Sequence, residues 1–511
     1  MFRRDAGTGG RDAHPTRAMT AHSYIACDLG AGSGRVMLGH LENGMLDLDE
    51  VHRFVSEPVR ILDSLRWDVL GIFHELKRGL AKVAEREVPV ASVSVDSWGV
   101  DYVWLRDDLP QLALPFHYRD ARTDSTYEAA MTDPGREVIF AETGIQFMAI
   151  NTLYQLLSDQ KKTPKLLEFA QQFLMIGDYF NYLFSGVACG EESNASTTQI
   201  YNPVTRQWSD KLVDLFKLPR RVFPKIVAPG TVLGPLLHEV ADETSLDRSV
   251  QVVATCTHDT GAAVAAVPAE GDDWAFLSSG TWSLIGVELP QPLLDEKARA
   301  HNFTNEAGYG GTTRFLKNII GMWILMECRR EWQRQGQDFS FDDLVRRAQS
   351  EGPLRSLINP NAARFWKPDD MIAKVQNYCE ETGQPVPHTP GQIVICILAS
   401  LALLYRKTLG EIRDATGREI RTLHIVGGGS RNALLNQFAA DATGCTVVAG
   451  PVEATAIGNV LVQAIALGHL DSLTTMRRVV RQSFAVQTFR PLASMEWQKA
   501  YERFCALELA T

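Results

Sequence analysis

The segment Asp28 to Arg35, DLGAGSGR, limits the possible folds more than any other stretch of the chain, because the residues after it are extended and not helical. Ser23 to Asp28 reads as a strand that runs into a glycine-rich turn. Arg35 to Leu41 is extended again, Asn43-Gly44 is a strong two-residue hairpin turn, and Met45 to Phe54 continues the meander. A dinucleotide fold or a P-loop places a helix directly after its glycines. Here a strand comes next, and no Gly-Lys-Ser or Gly-Lys-Thr occurs anywhere in the chain. The two commonest readings of a glycine-rich loop are therefore excluded.

Downstream, Val69 to Arg86 has helical periodicity, and Val90 to Val95 reads as a buried strand leading into Asp96-Ser97-Trp98-Gly99-Val100-Asp101. Helices and strands alternate to about residue 265. The opening device then recurs: strand Trp274 to Ser279, tight turn Ser279-Gly280-Thr281, strand Trp282 to Glu288. Two such units, without literal repetition of sequence, predict two related halves facing each other, as suits 511 residues, too many for one ordinary core. Near the end, Thr422 to Val426 predicts a strand before Gly427-Gly428-Gly429. Ser430 is the expected cap of a helix bearing Leu434, Leu435, Phe438 and Ala442 on one face; Gly444 closes it, and Thr446 to Ala449 starts the next strand. The apolar run Ile393 to Tyr405 is too short to span a bilayer and predicts a buried core helix. The expected division is a disordered extension over 1–22 (with Met19 as an alternative start of translation), domains over 23–265 and 266–490, and a C-terminal helix or tail over 491–511.

With 45% apolar and 22% charged residues and a net charge of -10, the surface is not one built for nucleic acid or anionic membrane. A local nest of backbone N–H groups can still bind phosphate on an acidic protein. Eight scattered cysteines, none in a CxxC pair, argue against a zinc site and suit reduced thiols in the cytoplasm. The first 22 residues lack the apolar core of a secretory signal. Cys256, close to His258, is expected to be a buried structural thiol.

Phosphoryl transfer from ATP to an alcohol needs backbone donors around the phosphates, a carboxylate near Mg²⁺, a base for the hydroxyl, and exclusion of water. Gly30, Gly32 and Gly34 open the first hairpin to a phosphate, Ser33 adds a hydroxyl, and Asp28 at the strand end is a candidate Mg²⁺ ligand. Ser278-Ser279-Gly280-Thr281 is the mirror candidate, and the three glycines at 427–429 give access for an adenosine group or α-phosphate. Asp259, at the start of a small-residue helix, combines the roles of helix cap and proton acceptor. Asp96, Trp98 and Asp101 offer carboxylates and an indole edge suited to a polyol, and Asn318 extends the set. Tyr118 to Arg122 reads as a solvated salt-bridge network. Each segment alone is explained by an ordinary turn or cap.

Taken in order, DLGAGSGRVML from Asp28, VDSWGVDYVWL from Val95, YRDART from Tyr118, TGIQFMAINTLYQL from Thr143 and NASTTQ from Asn194 resemble the FGGY family of carbohydrate kinases. The likeness continues through THDTGAAV from Thr257, LSSGTWSL from Leu277, LKNIIGMW from Leu316 and HIVGGGSRNALLNQ from His424. The resemblance implies an α/β fold of two ribonuclease-H-like domains of the actin/Hsp70 ATPase type, with an active-site cleft between them holding ATP and a sugar. It is nearest to the branch that moves the γ-phosphate to the 1-hydroxyl of L-rhamnulose. On that likeness Asp259 falls at the catalytic base. His258, Thr260, Gly99 and Asn318 fall at sugar contacts, joined on the residue reading by Trp98 and Asp101. Ala31, Gly32, Ser33, Gly34, Arg35, Thr281 and Gly428 fall at nucleotide contacts. Gly32 stands where relatives often carry Ser or Glu, and Met326 where a nucleotide-binding Gln can occur, so no role passes to Met326. A kinase for L-fuculose or L-xylulose, an ATPase coupled to a protein partner, and an inactive sugar sensor are the alternatives. The second has no use for Trp98, Asp101 and Asn318 beside Asp259.

Overall fold

The structure, a computed structural model, describes residues 21–492 and 495–509. The predicted disordered extension lies outside the described residues up to position 20, and its last residue, His22, already belongs to a strand. The chain opens as a meander of β1 (His22–Leu29), β2 (Ser33–Glu42) and β3 (Met45–Val55), each antiparallel to the next. Asn43 (φ 52°) and Gly44 (φ 76°) both take left-handed conformations in the turn, as a two-residue hairpin requires. Helix α1 (Val69–Ala84) is capped by Asp68, which accepts from the Gly71 N–H, and ends two residues before the predicted Arg86. Strand β4 (Val90–Ser97) then runs parallel to β1. With β5 (Thr231–Pro235) and β6 (Gln251–Ala254) the first sheet has the order β5-β6-β4-β1-β2-β3.

The second sheet repeats the plan. It contains β7 (Trp274–Ser279), β8 (Trp282–Leu289), β9 (Thr304–Ala307), β10 (Thr313–Ile320), β11 (Thr422–Val426), β12 (Thr446–Ala449) and β13 (Gln487–Phe489), in the order β9-β10-β8-β7-β11-β12-β13. In both sheets the first strand of an antiparallel meander takes a parallel partner on its other side, β4 for β1 and β11 for β7. This shared ribonuclease-H-like topology is the duplication that the two glycine hairpins predicted.

Helix α2 (Asp259–Ala265) carries Asp259 at its first position. Helix α3 (Pro390–Thr416) is the predicted core helix, begun by Pro390 and a Thr389–Gln392 capping box and stopped by Gly417 at φ 67°. Helix α4 (Ala433–Thr443) is capped by Asn432, whose side chain accepts from the Leu435 N–H, and not by Ser430 as predicted. The triglycine first passes through a 3₁₀ turn, Gly428–Arg431, and there the Ser430 hydroxyl donates to the Gly427 carbonyl. Helix α5 (Ala454–Ala466) packs on α2 so closely that a Cβ on Gly458 would stand 1.9 Å from the Ala262 carbonyl oxygen.

A buried polar chain fastens α5 to the first sheet. Asn459 donates to Asp96 Oδ2 (2.6 Å), Gln463 donates to Asn459 Oδ1 (2.7 Å) and to the Ile25 carbonyl (2.9 Å), and Ser92 donates to Gln463 Oε1 (2.6 Å). At the C-terminus, helix α6 (Met495–Leu509) is docked through buried Trp497 and Phe504. Cys256 is buried as expected, and burial pushes its thiol far up, out of reach of reactivity. Cys379 and Cys396 are both buried, free thiols, close enough in the core to influence each other.

Candidate active site

Between the two sheets lies a cavity of about 510 Å³, walled by both glycine hairpins, the triglycine turn and the start of α2. From the first hairpin Ala31, Ser33 and Arg35 face it. Gly32 and Gly34, predicted as nucleotide contacts, are not on its wall. Gly32 is exposed with open space around it, and Gly34 faces the other side of the strand, where a Cβ would collide with the Phe54 ring at 2.2 Å. Strand alternation explains the division: Ser33 and Arg35 share one face, Gly34 the other. On the opposite wall stand Ser278 to Thr281, with the Thr281 hydroxyl 3.8 Å from Met326 Sδ. The triglycine divides its labour. Gly427 turns at φ 83°, a Cβ on Gly429 would meet Ser279 Oγ at 2.0 Å, and Gly428 has open space and lines the cavity.

Carboxylates gather at the bottom of the cleft. Asp28, the last residue but one of β1, stands directly beside Asp96 on β4, and both feel the charge of Asp259. Burial pushes the Asp28 carboxyl above its usual range, against the pull of the Arg35 guanidinium; burial and then Asp28 push Asp96 far up. Arg35 bridges Asp28 to Glu453, which comes from the second half of the chain. No cluster of three or more His, Cys, Asp or Glu suited to a metal occurs among the described residues. Asp28 lines the cavity and is a carboxylate of the kind that could hold a divalent cation such as Mg²⁺. The excess of negative charge around Asp28 suits a cation.

On the other side of the cavity stand Trp98, Gly99, Tyr118, His258, Thr260 and Asn318. Asp101 is not with them. It is fully buried, its Oδ2 accepting from Trp67 Nε1 (2.6 Å), Trp98 Nε1 (3.1 Å) and the Tyr118 N–H (3.1 Å), and its Oδ1 from Gln155 (3.0 Å). Four donors use up its lone pairs, so Asp101 holds Trp98 in place and leaves nothing for a sugar. Between Gly99 and Asp101, Val100 has φ 69°, strained for a β-branched residue; its carbonyl accepts from Thr152 (2.7 Å) and Gln155 (3.1 Å). The Tyr118–Arg122 segment is not solvated as predicted: Arg122 is buried, paired with Asp159 and donating to Gln155 (2.9 Å), and Arg119 lies 4.0 Å over the Trp323 ring.

Asn318 is clamped across the cleft by Gln146, whose Oε1 accepts from its N–H (2.8 Å) and Nδ2 (3.0 Å) and whose Nε2 donates to its carbonyl (3.0 Å). The clamp leaves Asn318 Oδ1 as an acceptor for the cavity. Asp259 is polarised in a similar way. Its Oδ1 accepts from the Thr260 N–H and the Thr260 hydroxyl (3.1 Å) and faces His258 Nε2 at 3.4 Å. No donor among the described residues reaches Oδ2. One oxygen is anchored and the other is bare, the arrangement wanted in a group that must accept a proton. Gln146, Thr197, Glu306 and Glu453 also line the cavity and went unnoticed in the sequence. Gln146 and Thr197 sit in motifs that could have drawn attention to them; Glu306 and Glu453 do not.

Models of the FGGY family of carbohydrate kinases match this chain twice, the N-terminal domain over residues 23–266 and the C-terminal domain over 275–467. The chain belongs to the FGGY family of carbohydrate kinases. The cleft is therefore that of an ATP-dependent sugar kinase. Among curated relatives, a rhamnulokinase of Bacteroides thetaiotaomicron is 43% identical over 482 residues, 94% of this chain and 98% of that one. A rhamnulokinase of Bacillus subtilis is 40% identical over 468 residues, 92% of this chain and 95% of that one. Solved structures share the two-domain fold at low identity. A gluconate kinase from Lactobacillus acidophilus superposes with a TM-score of 0.81 at 18% identity, covering 96% of this chain and 98% of that one. Plasmodium falciparum glycerol kinase with ADP gives 0.76 at 14% identity, covering 94% and 98%.

Proposed function

We propose that the protein transfers the γ-phosphoryl group of ATP to the 1-hydroxyl of L-rhamnulose, giving ADP and L-rhamnulose 1-phosphate, with Asp259 as general base. The bare Asp259 Oδ2 between two phosphate-cradling hairpins carries this reading. As the hydroxyl oxygen attacks the γ-phosphorus, Oδ2 takes its proton and the bond to the ADP oxygen breaks. Ala31, Ser33, Arg35, Thr281 and Gly428 hold the nucleotide, and Trp98, Gly99, His258, Thr260 and Asn318 hold the sugar. Asp28 would hold a Mg²⁺ brought by ATP, which supplies charge neutralisation on the phosphates. The choice of sugar follows the names of the relatives and one feature of the cavity. Ile145, Met148 and Ile150 give it an apolar patch suited to the methyl group of a deoxyketose. A cytoplasmic location belongs to the same reading.

Initial rates across L-rhamnulose, L-fuculose, D-xylulose, L-xylulose and glycerol test the substrate. The highest kcat/KM is expected for L-rhamnulose; a higher value for another sugar removes the narrow assignment and leaves the kinase. Asp259→Asn is expected to abolish sugar-dependent turnover while ATP still binds. Near-normal turnover in a folded Asp259→Asn protein would remove Asp259 as the base.

A further inference from the structure

Behind His258 lies an ion pair that the phosphoryl transfer itself does not use. Glu306 on β9 and Arg314 on β10 are direct cross-strand partners, both buried, with Arg314 completely enclosed. Arg314 Nε donates to the Ala307 carbonyl (3.0 Å), its NH1 faces Glu306 Oε2 at 3.2 Å, and its NH2 donates to His258 Nδ1 at 3.2 Å. Burial pushes the Glu306 carboxyl up, but the Arg314 charge and His258 outweigh it and hold it below its usual range, so the pair is ionised. His258 comes from the first half of the chain and its two partners from the second.

A guanidinium has five donors and no acceptor. A ring nitrogen that accepts from it carries no proton. His258 Nδ1 is therefore the acceptor nitrogen, and the imidazole proton resides on Nε2, which faces Asp259 Oδ1 at 3.4 Å. The opposite tautomer would aim an Nε2 lone pair at the Asp259 carboxylate and an Nδ1 proton at Arg314; Nδ1 also lies 3.4 Å from Glu306 Oε2, but that contact is longer than the one to Arg314, and the carboxylate is already paired with the guanidinium.

We propose that Arg314, held in place by Glu306, is a positioning residue that fixes His258 as its Nε2–H tautomer and so presents one N–H donor beside Asp259. This rests on the reading of Asp259 as the base: a donor on the Oδ1 side keeps Oδ1 engaged and directs the lone pairs of Oδ2 to the sugar hydroxyl. The same Nε2–H is available to a sugar oxygen in the cavity, so its loss affects catalysis and sugar binding and spares ATP binding.

The test is ¹⁵N NMR of histidine-labelled protein, with the His258 ring assigned by its disappearance in His258→Gln. In the unmodified protein we expect Nδ1 to resonate as the bare nitrogen and Nε2 as the protonated one; a protonated Nδ1 overturns the proposal, whatever Asp259 does. In the charge-neutral double variant Arg314→Met with Glu306→Gln, we expect a mixed or reversed tautomer. Alongside it, a fall in kcat/KM for the sugar of about tenfold is expected, with KM for ATP within about twofold. Arg314→Lys, which keeps a cationic donor, is expected to recover part of the loss and the Nε2–H signature. An unchanged tautomer in the folded double variant also overturns the proposal. Should that variant not fold, the spectrum of the unmodified protein still decides. Because the tautomer is read without substrate, its failure is separate from failure of Asp259→Asn to inactivate.

Discussion

Gly458→Ala places a methyl group where the structure has no room. The new Cβ would stand 1.9 Å from the Ala262 carbonyl oxygen and 2.5 Å from its carbon, both backbone atoms of the helix that begins with Asp259. A rotamer change cannot relieve contact with backbone, so α2 and α5 must separate by about 1 Å or more, at an overpacking cost of about 1–3 kcal/mol. The displaced helix carries the proposed base, and a 1 Å misplacement of a reacting group costs about 10²-fold in rate. The expected result is a kcat reduced by about two orders of magnitude with KM for ATP little changed, and a urea midpoint lowered at unchanged slope. Gly410→Ala is the control. Gly410 is an exposed position of α3 with nothing within 4 Å of the added Cβ, so the same substitution should stabilise by about 0.5–1 kcal/mol and leave kcat alone. A Gly458→Ala enzyme with unaltered kcat and midpoint would refute the argument that this crossing sets the position of Asp259.

Two further predictions concern buried carboxylates. Asp101→Asn puts an amide NH₂ among four donors that all need an acceptor, and should lower stability by about 2–4 kcal/mol in urea titration monitored by tryptophan fluorescence. An unchanged midpoint would show that Asp101 does not hold Trp67 and Trp98. Glu191 is raised from 4.5 to about 7, chiefly by burial, so the folded protein keeps a proton there that the unfolded chain has lost. Between those values each rise in pH favours unfolding, and the contribution is fully lost above about 7. Glu191→Gln should therefore flatten part of the fall in stability between about pH 5 and pH 8, and an equal fall in both proteins would count against that assignment.

The elements legible in the sequence were those set by local chemistry. Asn43-Gly44 can turn in one way, the two glycine hairpins announce two sheets, and the run from Ile393 to Tyr405 has no place except a core. Asp259 was expected as the cap of α2, but His258 holds that position and Asp259 is the first helical residue, its Oδ1 accepting from Thr260. What escaped depended on partners distant along the chain. Asp101 is consumed by Trp67, 34 residues away, and by Gln155, 54 away, whereas its sequence neighbours suggest a sugar ligand. Arg122 is buried by Asp159, 37 residues on, and Arg35 meets Glu453 across 418 residues. Asn432 displaced Ser430 as a cap because the close approach of Gly429 to Ser279 delays the helix, which is a matter of packing.

The polar chain from Asp96 to Ser92 has a mechanical meaning. Asn459 and Gln463 sit one helical turn apart on α5, and each is bolted to the first sheet as well as to the other. A slide of α5 by a single residue, about 1.5 Å, would unmake these bonds together, with no water at hand to replace them. The seam between the two halves thus resists a slide of α5 along the first sheet. The close crossing and the polar bolt are thus both set by three positions of one helix, Gly458, Asn459 and Gln463.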